Sequence, residues 1–88
     1  MSRFEIGNAN FADMASSGNA EVLFELGLMY ATGRDGEEDK VAAHKWFNIA
    51  AFRGFETAKL RREEIAVEMT KQQIAKAQRE AREWITQH

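Results

Sequence analysis

Hydrophobic residues recur at helical spacing along this 88-residue chain, and short turns of glycine and polar residues separate the periodic segments. The pattern predicts four helices. The first runs from about Asn8 to Ser17 and stops at Gly18, and the second runs from about Asn19 to Thr32. Valine and threonine are sparse and no window alternates hydrophobic and polar residues, so we expect no β-strand.

The third predicted helix follows the polar turn GRDGEE, which spans residues 33–38. Asp39 is its expected N-cap, and the hydrophobic stripe continues at helical spacing to Arg53. Gly54 then follows as a C-terminal glycine. The third helix is therefore bounded at both ends by residues typical of helix termini.

A break at Thr70 is predicted to divide the rest of the chain into two helices. One begins after Phe55, and the other reaches about Gln87. Thr70 and Gln73 have the spacing of a capping box, which favours a new helix start at that point. Because no glycine or proline enforces the break, one long bent helix stays open as an alternative.

The second predicted helix is hydrophobic around most of its circumference, which is typical of a helix covered on several sides. Gly27 in its middle costs about 1 kcal/mol relative to alanine, so we expect a neighbouring backbone to approach there, at Ala50–Ala51. We assign four large aromatic residues to the core: Tyr30, Trp46, Phe47 and Trp84. Of these, we expect Trp84 to be the most exposed.

A partial internal repeat accompanies this pattern. The segment MASSGNAEV matches the later phrase AAFRGFETA, so that Gly18 aligns with Gly54 at a separation of 36 residues. A period of this size predicts a helix-pair repeat, in which each unit buries its hydrophobic face against the next. We therefore expect one domain, with a partial repeat at 8–18, a full repeat at 19–54 and terminal helices at 55–87.

The full repeat resembles the Sel-one-like repeat family, a relative of tetratricopeptide repeats. The positions that carry the resemblance are Val22, Leu26, Gly27, Tyr30, Gly33, Asp39, Ala43, Trp46, Phe47, Ala50, Ala51 and Gly54. The turn departs from the family's G-x-G-V-P pattern, which displaces the expected tight-turn glycine to Gly36. The resemblance implies an all-α, tetratricopeptide-like α-solenoid fragment of antiparallel helix pairs with a C-terminal capping helix, and an adaptor or scaffold role.

Composition and charge narrow the functional classes further. The net charge of −2 gives no electrostatic reason to expect nucleic acid, and the absence of cysteine excludes disulfide and thiolate chemistry. No segment approaches the roughly 20 apolar residues that cross a bilayer. The N-terminal sequence does not resemble a secretory signal. We therefore expect a cytoplasmic protein with no membrane partner.

No enzyme or metal motif is present in the sequence. The two histidines are His44, which we expect at the surface or half-buried beside Lys45, and His88 at the C-terminus. The acidic residues of 35–39 fail the spacing of a calcium loop and are typical of a helix N-terminus. We predict a protein that is not an enzyme and that has no cofactor and no metal.

Two aromatic residues give the main functional indication. Phe52 and Phe55 align with Ser16 and Asn19 of the partial repeat, so two polar turn positions become aromatic. They either pack beneath the terminal helix or form an exposed partner site. By analogy with related repeats, the inner surface adds further candidate contacts at Glu21, Glu25, Arg61 and Arg62.

The sequence therefore favours a protein–protein interaction module, an adaptor or scaffold that binds a partner protein or peptide through a helical-repeat surface. The alternative is a structural homodimer, in which a second copy covers the open stacking face of a short repeat array.

Overall fold

A computed structural model describes residues 19–34 and 36–88, and every regular element within those ranges is a helix. The elements are α1 (Ala20–Thr32), α2 (Lys40–Phe52), α3 (Glu56–Ala66) and α4 (Lys71–Gln87). The described part of the chain contains no β-strand, as the hydrophobic pattern predicts, and the all-helical fold class is confirmed. The predicted helix from Asn8 to Ser17 lies outside the described residues.

Polar side chains cap three of the four described helices, and the caps at Asp39 and Thr70 are those that the sequence predicts. Asn19 Oδ1 accepts hydrogen bonds from the backbone N–H groups of the first turn of α1, and Asp39 Oδ1 accepts from Ala42 N at 3.0 Å. At α4, Gln73 N donates to Thr70 Oγ1 at 3.1 Å and Thr70 N donates to Gln73 Oε1 at 2.8 Å, which completes a capping box. The predicted break at Thr70 is thus confirmed, and the alternative of one long bent helix is wrong.

Two glycines with positive φ end the first two helices. Gly33 has φ of 70° and Gly54 has φ of 98°, values that favour glycine over residues with a Cβ atom. A Cβ at Gly33 would also lie 2.9 Å from the backbone nitrogen of Glu38. A Cβ at Gly36 would meet nothing within 4 Å, so the space around Gly36 does not require glycine, whereas Gly33 requires it through both its φ and its neighbours.

Helix α2 lies at the centre, and α1, α3 and α4 each pack against it while contacting one another little. The turns before and after α2 are short, so α1 and α3 run antiparallel to it. The core that joins the four helices consists of Leu23, Leu26, Met29, Ile49, Ala50, Ala58 and Ala81. The hydrophobic pattern predicts coverage on several sides for the helix that is α1, but among the described helices it is α2 that packs against three others.

Helices α1 and α2 pack tightly together at Gly27. A Cβ atom there would lie 2.4 Å from Phe47 Cδ1 and 2.5 Å from Phe47 Cε1. The sequence correctly predicts close packing at this glycine, but the predicted neighbour is wrong. The ring of Phe47 fills the space, and not the backbone at Ala50–Ala51, because a phenylalanine side chain reaches across the gap between the two helices.

The aromatic residues divide between the core and its edge. Phe47 is 2% exposed and belongs to the interior, as predicted. Tyr30, Trp46 and Trp84 are partly buried and pack against the core. Trp46 meets Trp84 edge-on at a centroid distance of 5.4 Å, so an aromatic contact joins α2 to the C-terminal part of α4.

Among the described residues, no helix has both the length and the hydropathy that crossing a membrane requires.

Candidate docking groove

An open groove separates α1 from α3 where both helices pack on α2. Its volume is about 330 Å³. The floor is apolar and consists of Ala31, Phe47 and Ile65, one residue from each of the three helices. The rim is polar and consists of Thr32, Glu38, Arg61, Glu64 and Glu68. We call this surface, floor and rim together, the docking groove.

The pattern of side chains along α3 explains why the groove opens there. Ala58, Arg62 and Ile65 follow one another at helical spacing and form the face that meets α2. Ala58 is fully buried, so α3 approaches α2 closely near its start. Ile65 remains half-buried near the other end, where it contributes to the groove floor. Helix α3 is therefore anchored by little buried surface and leaves an accessible cleft.

Ion pairs surround the groove. Lys40 Nζ lies 3.1 Å from Glu38 Oε2 and 3.9 Å from Glu68 Oε1, so one ammonium group links the start of α2 to the segment after α3. On α3 itself, Arg61 Nη1 lies 3.6 Å from Glu64 Oε1. All these side chains retain contact with solvent, and exposed pairs of this kind contribute little stability.

Arg62 has a structural role beside the groove. Its Nη1 donates a hydrogen bond of 2.7 Å to Asn48 Oδ1, and its Nη2 lies 3.7 Å from Glu63 Oε2. The contact to Asn48 crosses from α3 to α2 and is partly buried. Arg62, which the repeat analogy places among the partner contacts, thus holds the two helices together and is not among the residues that line the groove.

His44 is buried in α2, with an exposure of 3%, and its Nδ1 makes no hydrogen bond. Burial lowers the pKa of His44 below its usual 6.5, and the positive charge of Arg62 lowers it further. The expectation of a surface or half-buried histidine is wrong, because α2 is covered by three helices. The sequence does contain a signal for the burial of His44, since His44 precedes Phe47 by one helical turn on the buried side of α2.

The other histidine packs on an aromatic ring. His88 stacks on Trp84 with a centroid distance of 4.2 Å, and His88 Nδ1 lies 2.9 Å from the backbone oxygen of Trp84. Within 19–34 and 36–88, no three histidine, cysteine, aspartate or glutamate side chains cluster so that they could hold a metal ion.

The remaining candidate residues from the sequence fall in different places. Arg61 lines the groove, whereas Glu21 and Glu25 are exposed on α1 and are not among its lining residues. Phe52 is 67% exposed. Phe55 is half-buried and packs on Phe24 of α1 at a centroid distance of 4.9 Å.

Sequence reasoning missed most of the groove. Glu64 and Ile65 follow Arg61 at spacings of three and four residues, which places the three side chains on one face of α3, and Glu68 follows seven residues after Arg61 in the segment after the helix. That spacing could have identified them as one surface. Nothing in the local sequence shows that Glu38 and Phe47 meet the same surface, because this depends on how α3 packs on α2.

Comparisons with protein-family models, with curated proteins and with solved structures give no match to this chain.

Proposed function

We propose that this protein is an interaction module, an adaptor or scaffold that binds a partner protein or peptide in the docking groove. The observation that carries the proposal is the groove itself: an open cleft between two helices with an apolar floor and a charged rim. Interfaces combine these features, since an apolar centre excludes water and a polar rim fixes orientation. A helix or an extended segment of a partner fits such a cleft.

The resemblance to Sel-one-like repeats supports the same proposal independently. In that interpretation α1 and α2 form one antiparallel helix pair, α3 begins the next unit, and α4 caps the array. Related repeats use the surface between successive first helices for binding, and in that interpretation α1 and α3 would hold those positions. This support is an analogy at the level of the fold and assigns no residue by itself.

A pair of matched substitutions tests the proposal. Ile65→Asp places a carboxylate on the groove floor, whereas Val67→Asp changes a side chain that is 85% exposed and does not line the groove. Tagged wild type and both variants are used to capture proteins from an extract of the source cells, with folding checked by circular dichroism. We expect one set of partners to be retained by wild type and Val67→Asp and lost by Ile65→Asp. Equal capture by all three proteins would contradict the proposal.

Self-association as a structural homodimer is the second candidate function. Three large hydrophobic side chains on α2 and α3, or directly after α3, are well exposed and could be covered by a second copy: Phe52, Leu60 and Val67. Light scattering across a hundredfold range of concentration separates the two candidates. A constant mass near 10.0 kDa would exclude the homodimer, and a stable mass of twice that value would support it.

A further inference from the structure

Three carboxylates dominate the charge around the docking groove. Glu38 lies at the start of α2, Glu64 lies within α3, and Glu68 follows α3. Their side chains are 49%, 70% and 66% exposed, so they stay accessible to a molecule that enters the groove. They lie on separate helices and turns, and the packing of the fold brings them to one rim.

The cations beside these carboxylates neutralise them only in part. Arg61 pairs with Glu64, and Lys40 lies between the other two acidic side chains. Two cations therefore face three carboxylates. Because exposed ion pairs are weak, a cation of a bound molecule can replace Lys40 or Arg61 beside these carboxylates at little cost in free energy. The rim presents net negative charge around an apolar floor.

Building on the proposed function, we infer that the groove binds a cationic amphipathic segment of a partner protein. An apolar side chain of that segment packs on Ala31 and Ile65, which are the accessible apolar residues of the groove, while neighbouring lysine or arginine side chains reach Glu64 and Glu68. In a helix, residues three or four positions apart lie on one face and can make both contacts at once. An acidic segment would bring like charges together at the same rim, so charge selects the partner.

Synthetic peptides test this choice of partner directly. Three labelled peptides of about 15 residues carry leucines at helical spacing, with the remaining positions filled by lysine, glutamine or glutamate. A fourth keeps the lysine composition but scatters the leucines. Binding to the full chain is followed by fluorescence anisotropy at low and at physiological salt. We expect the leucine–lysine peptide to bind about tenfold more tightly than the glutamine peptide, and added salt to reduce that difference.

Two triple variants with the same change in net charge locate the binding surface. The groove variant carries Glu38→Gln, Glu64→Gln and Glu68→Gln, and the matched control carries Glu21→Gln, Glu25→Gln and Glu83→Gln. All six side chains are exposed, so both variants should keep the helical circular dichroism of the wild type. We expect the groove variant to bind the leucine–lysine peptide about tenfold more weakly, and the control to change the affinity by less than twofold.

The outcomes separate this inference from the proposed function. Equal loss of affinity in both triple variants would overturn the inference. So would equal affinity for the leucine–lysine peptide and for the peptide with scattered leucines, because charge alone would then explain the binding. Preference for the glutamine or glutamate peptide, with binding lost in Ile65→Asp, would overturn the cationic partner while the groove stays a docking site. If none of the peptides binds, the cationic partner is overturned, and the capture experiment with Ile65→Asp decides the proposed function.

Discussion

Helices α1 and α3 both pack on α2, yet they are held in very different ways. Helix α1 buries Leu23, Leu26 and Met29 and brings Gly27 against the ring of Phe47. Helix α3 buries only Ala58 fully. The comparison teaches that the two helices divide two roles between them. Helix α1 contributes large side chains to the core, whereas α3 keeps most of its side chains accessible at the groove.

Matched truncations in the two helices should show the largest difference. We expect Leu23→Ala to lower the free energy of unfolding by about 3–5 kcal/mol, because Leu23 is fully buried and its loss leaves a cavity. Ile65→Ala should cost only about 1–2 kcal/mol, since Ile65 is half-exposed on the groove floor. Urea unfolding measures both values. Equal losses would contradict the division between α1 and α3.

The contact between Gly27 and Phe47 should give the next largest effect. Gly27→Ala places a methyl carbon 2.4 Å from Phe47 Cδ1 unless the ring shifts, which we expect to cost about 1–2 kcal/mol after the gain in helix propensity is subtracted. Phe47→Leu should cost less in the Gly27→Ala background than in the wild type, because the smaller side chain relieves the overlap. Gly36→Ala is the control and should be nearly neutral, since nothing lies near that position. Strictly additive losses for Gly27→Ala and Phe47→Leu would contradict the contact.

His44 should make stability depend on pH, because its pKa is lowered in the folded chain by burial and by Arg62. As the pH falls through about 6.5, the unfolded chain takes up a proton that the folded chain does not, so the free energy of unfolding falls. The slope is at most about 1.4 kcal/mol per pH unit, and it ends once the pH drops below the lowered pKa.

The measurement is thermal or urea unfolding between pH 7.5 and 5, compared with His44→Gln. We expect the variant to have a shallower slope in this window, whatever its absolute stability. Arg62→Gln removes one cause of the lowered pKa and should extend stability to lower pH. An unchanged slope in His44→Gln would show that His44 does not control this dependence.

The smallest effect is expected at the hydrogen bond that ties α3 to α2. Asn48→Ala removes the acceptor for Arg62 and should cost about 1 kcal/mol, because the bond is charged but only partly buried. Hydrogen exchange should then speed up in α3 more than in α1. Faster exchange in α1 alone would argue that Asn48 does not hold α3 in place.

The helix boundaries were predictable because their causes are local. Asn19, Asp39 and Thr70 cap helices through bonds that span two or three residues, and Gly33 and Gly54 end helices through their own backbone conformation. These features depend on neighbours in the sequence, so the sequence alone identifies them.

The interior contacts and the groove were less predictable because they depend on helix packing. Whether Gly27 meets a ring or a backbone is decided by how α1 lies on α2, and the burial of His44 requires three helices around it. The groove joins Glu38 to Glu68, which are distant in sequence. Periodicity places residues on a helical face, but it does not show which two faces meet.

The most direct test of the docking groove is a titration of the ¹⁵N-labelled chain with the leucine–lysine peptide, followed through amide chemical shifts. We expect the largest shifts at Ala31, Thr32, Glu64 and Ile65, which surround the groove, and small shifts at the exposed residues of α4. Shifts concentrated around Phe52 or along α4, or none at saturating peptide, would contradict the account.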